Sequence, residues 1–409
     1  MKRVLVASPV VSHKAMSGNS ERVRQLVSML ESLECEVHFV LHPIREISDR
    51  RCGDAMVKHY GSRYYELNNG EIFEGTWYQH FLNFLKRKTF LKRFPFIKDA
   101  IFEDAYVTER IKKEFNSIVE SVRPSAIICE YALLSKLVEG LQQDVVKIVD
   151  THDRFANRNK RVRERNGHGV WWELTEEQEK LLLKRFDYVF AIQRNEAKLF
   201  SSALQGLETK VVTLDILEPA RRKVYFTNKP HVIGFIGSQN QHNKEGLEWF
   251  LNSHWQNILN AVPNAELHIA GAIYEEIVER KIPGVSFLGR VESLSKFYDS
   301  CAFCINPCLT GSGLKIKSVE ALCYGKPLVT SNEGAEGIEH ASGKGIFIFA
   351  IEEFGFGDTC INLLENGKFA YEMGSAAIEF INASEKSNQS ILNQILPCYK
   401  PVDEMELPN

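Results

Sequence analysis

Short apolar runs alternate along this chain with longer stretches whose apolar residues recur every three or four positions. Val4, Leu5, Val6 and Ala7 predict a short buried strand, and residues 20–33 carry helical spacing through Val23, Leu26, Val27 and Leu30. A second strand is predicted over 36–41, so the chain opens as strand, loop, helix, strand. After a long helical and irregular middle, apolar runs return at 126–129, 145–149, 188–192 and 210–214. The pattern then restarts with 232–236 and an amphipathic helix over about 244–259. Further strands are predicted at 266–270, 285–288, 303–305, 328–330 and 345–349. Short, wholly apolar strands separated by helices predict α/β architecture with parallel sheets covered on both faces.

The break between the two series falls in 218–230, which carries Pro219, Pro230 and a cluster of basic and polar breakers. The expected division is a first doubly wound domain over 1–220, a second over 221–386 and a tail over 387–409. Pro397, Pro401 and Pro408 make that tail too irregular for a core, and it is expected to cross back to the first domain. Two such domains are expected to face a central cleft, with ligands beyond the carboxyl ends of the strands.

Composition narrows the classes. A chain of 409 residues, 44% apolar and 25% charged, is globular and long enough for two or three cores. Fifty basic against fifty-three acidic residues leave a formal charge of −3, which gives no field to gather nucleic acid. No apolar run approaches the ~18 residues of a membrane span. Residues 1–7 superficially resemble a signal peptide, but Ser8, Pro9, His13 and Lys14 break the stretch too early. Nine scattered cysteines suit a reducing compartment, so the expected location is cytoplasmic.

The chemistry concentrates in Asn306 to Thr330, NPCLTGSGLKIKSVEALCYGKPLVT. A strand ends near Pro307, a glycine loop follows, and a helix runs to Gly325 ahead of Pro327. Gly311 and Gly313 allow a phosphate close to the backbone, and the helix start adds partial positive charge. Lys317 sits in the first turn, where a cation opposes the helix dipole; a bound diphosphate explains it. Glu320 lies on the same face one turn on, placed to accept hydroxyl hydrogen bonds from a ribose. An isolated Lys-x-x-Glu pair would be a solvated helix face; the glycine loop and proline-flanked strand argue against that here.

This segment resembles the nucleotide-sugar motif of retaining GT-B glycosyltransferases of the group 1 (GT4-like) family, Gly-x-Gly-x-x-x-Lys-x-x-Glu-Ala followed by Gly-x-Pro-x-Val and Gly-Ala-Glu-Gly. Gly334-Ala335-Glu336-Gly337 supplies the last element. Phe235-Ile236-Gly237-Ser238 with Asn243, then Trp249-Phe250, is similar to the family's second-domain opening, and Gly289-Arg290-Val291 to its base-binding turn. Weaker matches are Gly18-Asn19 with Arg22, Asp150-Thr151-His152-Asp153, and Ala191-Ile192-Gln193 with Glu196. The resemblance implies a GT-B fold of two Rossmann-like domains and a UDP- or GDP-sugar donor, with no cofactor and no metal. It implies donor contacts from Gly237, Ser238, Asn243, Arg290, Gly311, Ser312, Gly313, Lys317, Glu320 and Glu336. Gly18, Asn19, Arg22, Asp153 and Arg154 would lie on the acceptor side, the acceptor being a glycan, a lipid-linked sugar or a protein. Glu320 matches the second carboxylate of the family's Glu-x₇-Glu pair, while the first falls on Ser312. Asn243 occupies the place of a common lysine, with Lys244 one residue off.

The resemblance implies that His152, just past a strand end, contacts a donor-sugar hydroxyl and joins Lys317 and Glu320 as catalytic residues. As a loop histidine it could instead be satisfied by Asp150 or Asp153. Residues 154–165 hold six basic residues and one acid, a solvated face or a phosphate collector. Residues 84–98 interleave six cations with aromatic and aliphatic residues and no acid, which suits either packing on the first domain or an anionic membrane surface. If they touch lipid, the protein works at the inner face of the membrane. Cys301, Cys304 and Cys308 lack a second ligand pair at zinc spacing. Walker, His-Glu-x-x-His and complete Gly-x-Gly-x-x-Gly motifs are all missing. The expected activity is hexosyl transfer with retention in bacterial surface polysaccharide or glycoconjugate synthesis. Two rivals stay open: a catalytically silent protein binding a nucleotide sugar or a partner, and a nucleotide-sugar epimerase using Asp153 and Glu336.

Overall fold

In the computed structural model, residues 2–13, 17–44, 53–71, 106–141, 144–158, 160, 173–217, 231–273, 281–310, 313–351 and 355–397 are described. The basic-aromatic segment 84–98 lies outside them, as do 159 and 161–165. Two compact units result. Among the described residues the first takes in 2–158, 173–217 and 388–397, and the second 231–387.

The first unit is a seven-stranded parallel sheet of β1 (Lys2–Ser8), β2 (Cys35–Leu41), β3 (Tyr64–Glu66), β4 (Ala126–Glu130), β5 (Val146–Asp150), β6 (Tyr188–Ala191) and β7 (Lys210–Thr213). Their order is β3-β2-β1-β4-β5-β6-β7. Helices α1 (Gly18–Ser32), α2 (Gly53–Tyr60), α3 (Glu109–Val122), α4 (Glu176–Leu183) and α5 (Arg194–Ala203) connect the strands. Side chains alternate strictly across the sheet. Val4 and Val6 join Ala126, Ile128 and the α1 residues Val23, Leu26 and Leu30 in one core. Leu5 and Ala7 join Ile127, Cys129 and Phe115 in the other. That period of two, with both faces apolar, is why the strands read as unbroken hydrophobic runs.

The second unit repeats the design with six parallel strands: β8 (Val232–Ile236), β9 (Glu266–Ala270), β10 (Val285–Gly289), β11 (Phe303–Asn306), β12 (Leu328–Ser331) and β13 (Ile346–Phe349), ordered β10-β9-β8-β11-β12-β13. Its helices are α6 (Gln241–Phe250), α7 (Gln256–Ala261), α8 (Leu294–Asp299), α9 (Ile316–Cys323), α10 (Gly355–Glu365) and α11 (Gly367–Ile395). The single helix predicted over 244–259 is α6 and α7 joined by a π turn, Leu251–Trp255. That wider turn seats buried Trp255, whose indole N–H donates to Pro283 O at 2.8 Å.

The segment from 387 onward differs from the expected irregular tail. It continues α11, a 29-residue helix, to Ile395. Leu392, Ile395 and Leu396 enter the α1-side core of the first unit, and Asn388 Nδ2 donates to Ile216 O at 2.6 Å. The prolines come too late to break this helix. Because Leu392 is fully buried, Leu392→Ala should cost about 2–5 kcal/mol. Urea unfolding of the variant should show the lowered midpoint, and an unchanged midpoint would mean these turns contribute little.

Candidate functional site

In each sheet the strand order reverses once, between β1 and β4 and between β8 and β11. Chains leaving the carboxyl ends of two such strands diverge to opposite faces and leave a crevice where ligands bind. The chemistry-bearing residues of both units gather at these points.

In the second unit the β8 and β11 ends are built around polar bonds that an apolar strand cannot supply. Asn306, the last residue of β11, is fully buried and donates from Nδ2 to Ser318 Oγ at 2.8 Å. Ser318 Oγ donates to Gly334 O at 2.8 Å, and Thr330 Oγ1 to Asn306 O at 2.8 Å. Ser331 Oγ donates to Cys308 O. A Cβ on Gly334 would lie 2.1 Å from Thr330 Oγ1, so the Gly-Ala-Glu-Gly turn requires glycine at its first position. Gly246 of α6 is equally constrained, since a Cβ there would come within 2.3 Å of Pro307 O. These close approaches pack α6 and the Gly334 turn against the backbone at the end of β11.

Lys317 is the second residue of α9. Its ammonium donates to Asn243 Oδ1 and lies 4.8 Å from the centre of the Phe235 ring. Asn243, buried in α6, donates from Nδ2 to the carbonyl of Ser238 at 2.8 Å. Its backbone N–H donates to the helix-capping Asn240 Oδ1 at 2.8 Å. The asparagine standing at the common lysine position thus ties the loop after β8 to the remaining cation. Burial, helped by Lys315, holds the Lys317 ammonium down to about 8, with Cys308 opposing. Gly237 is buried beside Asn243 and Ser238 is exposed. Gly313 has φ +79° with open space where a side chain would be.

Glu320, partly buried one turn further along α9, accepts from the phenol of Tyr298 at 3.2 Å. Burial, then the Glu320 charge, pushes that phenol well up, so it stays a donor. Tyr298 stacks on Tyr324 at 4.5 Å. Glu336 is held by Lys315 at 3.5 Å, and Lys315 also donates to Gly313 O at 2.8 Å. Arg290 follows β10 and is exposed. Gly311 and Ser312 lie outside the described residues. Tyr298 and Lys315 escaped the sequence reading; only Lys315, two residues before Lys317, left a signal there. His242, another omission, bonds Thr310 Oγ1 through Nδ1 at 2.5 Å.

In the first unit, Gly18 and Asn19 begin α1 behind its cap Ser17. Arg22, expected on the acceptor side, is instead buried and turned inward. It forms a bidentate pair with Asp150, both bonds 2.8 Å, and donates to Leu214 O at 2.8 Å and Asp215 O at 3.2 Å. The reason is that Asp150 ends β5 with no exposed surface, and such a carboxylate requires a cation. Asp153 pairs with Arg158 at 2.9 Å, and Arg154 with Glu176 at 3.1 Å. Glu196 is buried and accepts from Arg154 N at 3.2 Å. Burial, then Asp153, raises its carboxyl to about 8.

His152 bonds neither Asp150 nor Asp153. Its Nε2 lies 2.5 Å from Oε2 of Glu130, the last residue of β4, which the sequence reading passed over. A carboxylate closing the apolar run AIIC was the available signal. Ligand atoms of Glu130, Asp150 and His152 lie within 4.8 Å of one another, the one such group among the described residues. Arg22 already neutralises Asp150 there, so the chemistry is that of an ion-pair network, not of a cation site. The described cysteines of the triplet are buried, with Cys301 Sγ donating to Phe297 O at 3.2 Å and Cys308 Sγ to Thr310 O at 2.9 Å.

Residues 230–366 match the family described as glycosyl transferases group 1. That segment is similar in sequence to group 1 glycosyl transferase domains. A Klebsiella pneumoniae protein, the uncharacterized 44.6 kDa protein in the cps region, is 25% identical over 326 residues, which cover 71% of this chain and 84% of that protein. TarM of S. aureus superposes with a TM-score of 0.64 at 11% identity, over 97% of this chain and 98% of its own. Anabaena HepE, solved with UDP, superposes at 0.60 with 12% identity, over 97% and 99%. At those identities the likeness is one of fold: two Rossmann-like units in the GT-B class. No helix of the described residues is long and apolar enough to cross a membrane.

The Lys317 environment carries a pH signature. An unfolded lysine keeps its proton to about pH 10.4, whereas the empty folded site releases it near 8. Between those values the unfolded chain holds more protons, so this group makes stability rise with pH there. A bound phosphate favours the protonated amine, so anion affinity should be full below about 8 and fall above it by up to about tenfold per pH unit. Calorimetry with pyrophosphate, UDP and GDP should show that fall, and Lys317→Met should remove it. Affinity independent of pH up to about 9.5 would place the anion elsewhere.

Proposed function

We propose that this chain transfers a sugar from a nucleotide-diphosphate sugar to an acceptor hydroxyl with retention of configuration, in the assembly of a surface polysaccharide. One observation carries the reading most: within a segment similar to group 1 glycosyl transferase domains, a desolvated lysine sits in the first turn of α9 at the reversal of the strand order. A lone buried ammonium over an aromatic ring, held by an asparagine, is poised for an anion. The structural relative HepE binds UDP and UDP-glucose, and the sequence relative belongs to a cps region. Both favour a nucleotide-sugar donor and a polysaccharide product.

In this reading the anomeric carbon–phosphate oxygen bond breaks while a bond to the acceptor oxygen forms on the same face. The acceptor proton passes to the departing phosphate oxygen. Lys317 and the free N–H groups opening α9 stabilise charge on that oxygen, and Glu320, oriented by Tyr298, holds the ribose hydroxyls. The charge is met by these groups without a metal ion. The acceptor binds the first unit near Gly18, Asn19, Asp153 and Arg154, while Arg22 supports that region from within. The epimerase alternative needs two carboxylates free for proton transfer, and Asp153 and Glu336 each already hold a cation.

Product analysis over a panel of UDP- and GDP-sugars tests the reading directly; no turnover of any donor, in transfer or slow hydrolysis, would leave a binding protein. With the donor known, Lys317→Met should lower kcat by about 10²–10³ while donor KM rises far less, as for loss of a group that acts on transition-state charge. An unchanged kcat with raised KM would make Lys317 a ground-state anchor. Glu320→Ala should weaken the nucleoside diphosphate by roughly 10- to 100-fold in calorimetry, the worth of a charge-assisted bond. Unaltered affinity would remove the ribose role.

A further inference from the structure

The β4 and β5 ends of the first unit hold a carboxylate, Glu130, behind His152. Glu130 and Asp150 are register partners on adjacent strands, both without exposed surface. Arg22 from α1 neutralises Asp150 with two bonds, so the charge left over belongs to Glu130 and His152. Glu130 Oε2 takes His152 Nε2 at 2.5 Å, and Glu130 Oε1 is buried with no partner. The residue after Glu130, Tyr131, and His152 itself both have positive φ, +71° and +57°. Side chains other than glycine adopt that region only where the surroundings impose it. Here it brings the two rings face to face, 4.1 Å apart and 8° from parallel. The imidazole is therefore held on its flat face by Tyr131 and on one nitrogen by Glu130. Asn19 bonds the Tyr131 phenol from α1, and Arg158 acts on it from the loop after β5. His152 Nδ1 has no hydrogen-bond partner among the described residues.

We propose that Glu130 is the positioning residue of His152, fixing the tautomer with hydrogen on Nε2 so that Nδ1 is the nitrogen presented to a sugar hydroxyl. The proposal rests on the glycosyl-transfer reading for the identity of that hydroxyl. A carboxylate behind one ring nitrogen sets which nitrogen is left for substrate, as in hydrolytic triads. Burial, then Asp150, pushes the Glu130 carboxyl up, and the bond from His152 opposes them. Tyr131, stacked on the ring, hinders its turning about the Cβ–Cγ bond, which would carry Nε2 away from Glu130.

The test uses the full chain and two kinds of readout. Nitrogen NMR of the His152 ring should report the Nε2–H form in the unmodified protein. It should report a mixture in Glu130→Leu, which keeps the volume but not the acceptor, and restoration in Glu130→Gln, whose amide oxygen still accepts. In turnover, Glu130→Leu should lower kcat by about 10- to 100-fold with donor KM within about twofold, and Glu130→Gln should recover most of it. Because Glu130 acts through the ring, adding Glu130→Leu to His152→Ala should cost nothing more. Additive losses, or an unchanged ring tautomer in Glu130→Leu, would overturn the proposal. A protein that turns over no nucleotide sugar would refute the transfer reading and leave the NMR result to decide the positioning on its own. If Glu130→Leu does not fold, the ring tautomer of Glu130→Gln decides: Nδ1–H as the major form there overturns the proposal.

Discussion

A strand buried on both faces can carry polar side chains only at its ends, and both units are organised by that constraint. Asp150, Glu130, Asn306, Thr330 and Ser331 all lie at or next to the carboxyl ends of parallel strands, and all are buried. Buried polar groups must find partners, because each unpaired one forfeits its hydration without return. Those partners come from neighbouring strand ends, the loops leaving them and the adjacent helix starts, and so the polar groups concentrate into networks. The site chemistry of this protein consists of those networks together with the helix starts that meet them.

The two networks resolve the demand differently. In the first unit the groups are ionic, and a guanidinium from α1 enters to balance Asp150. An ion pair this deep contributes little net stability, since desolvation of both partners offsets their attraction, but losing one partner would strand the other. It therefore fixes geometry more than it adds stability. In the second unit the strand-end groups are neutral hydroxyls and amides, and the Lys317 ammonium meets a carbonyl dipole and a ring face. A cation so weakly compensated is the natural place for an anionic ligand.

Asn243 stands where the resembled family commonly has a lysine. A second lysine there would face Lys317 across a short gap and repel it. The shorter, neutral amide donates to the Ser238 carbonyl and accepts from Lys317, so the two loops are bridged at no cost in charge. The consequence is that the loop after β8 and the start of α9 are joined through one cation and one amide.

Much of this was legible in the sequence. Apolar runs located β1, β2, β4 to β7 and β8 to β13 to within a residue or two, because burial on both faces makes such strands unbroken in hydropathy. Only β3, three half-exposed residues at a sheet edge, left no trace. The glycine loop, Lys317 and Glu320 were readable as well, since loop, helix start and helix face are all local. What the sequence could not supply were partners distant along the chain. Arg22 follows β1 like a residue offered to ligand, but Asp150, 128 positions on, turns it inward. His152 has two aspartates beside it in sequence and bonds Glu130, 22 positions back, because parallel pairing sets those strand ends side by side. Spacing within one element is a property of the local backbone, whereas the balancing of a buried charge depends on which strand ends the sheet makes neighbours, and only the tertiary structure decides that.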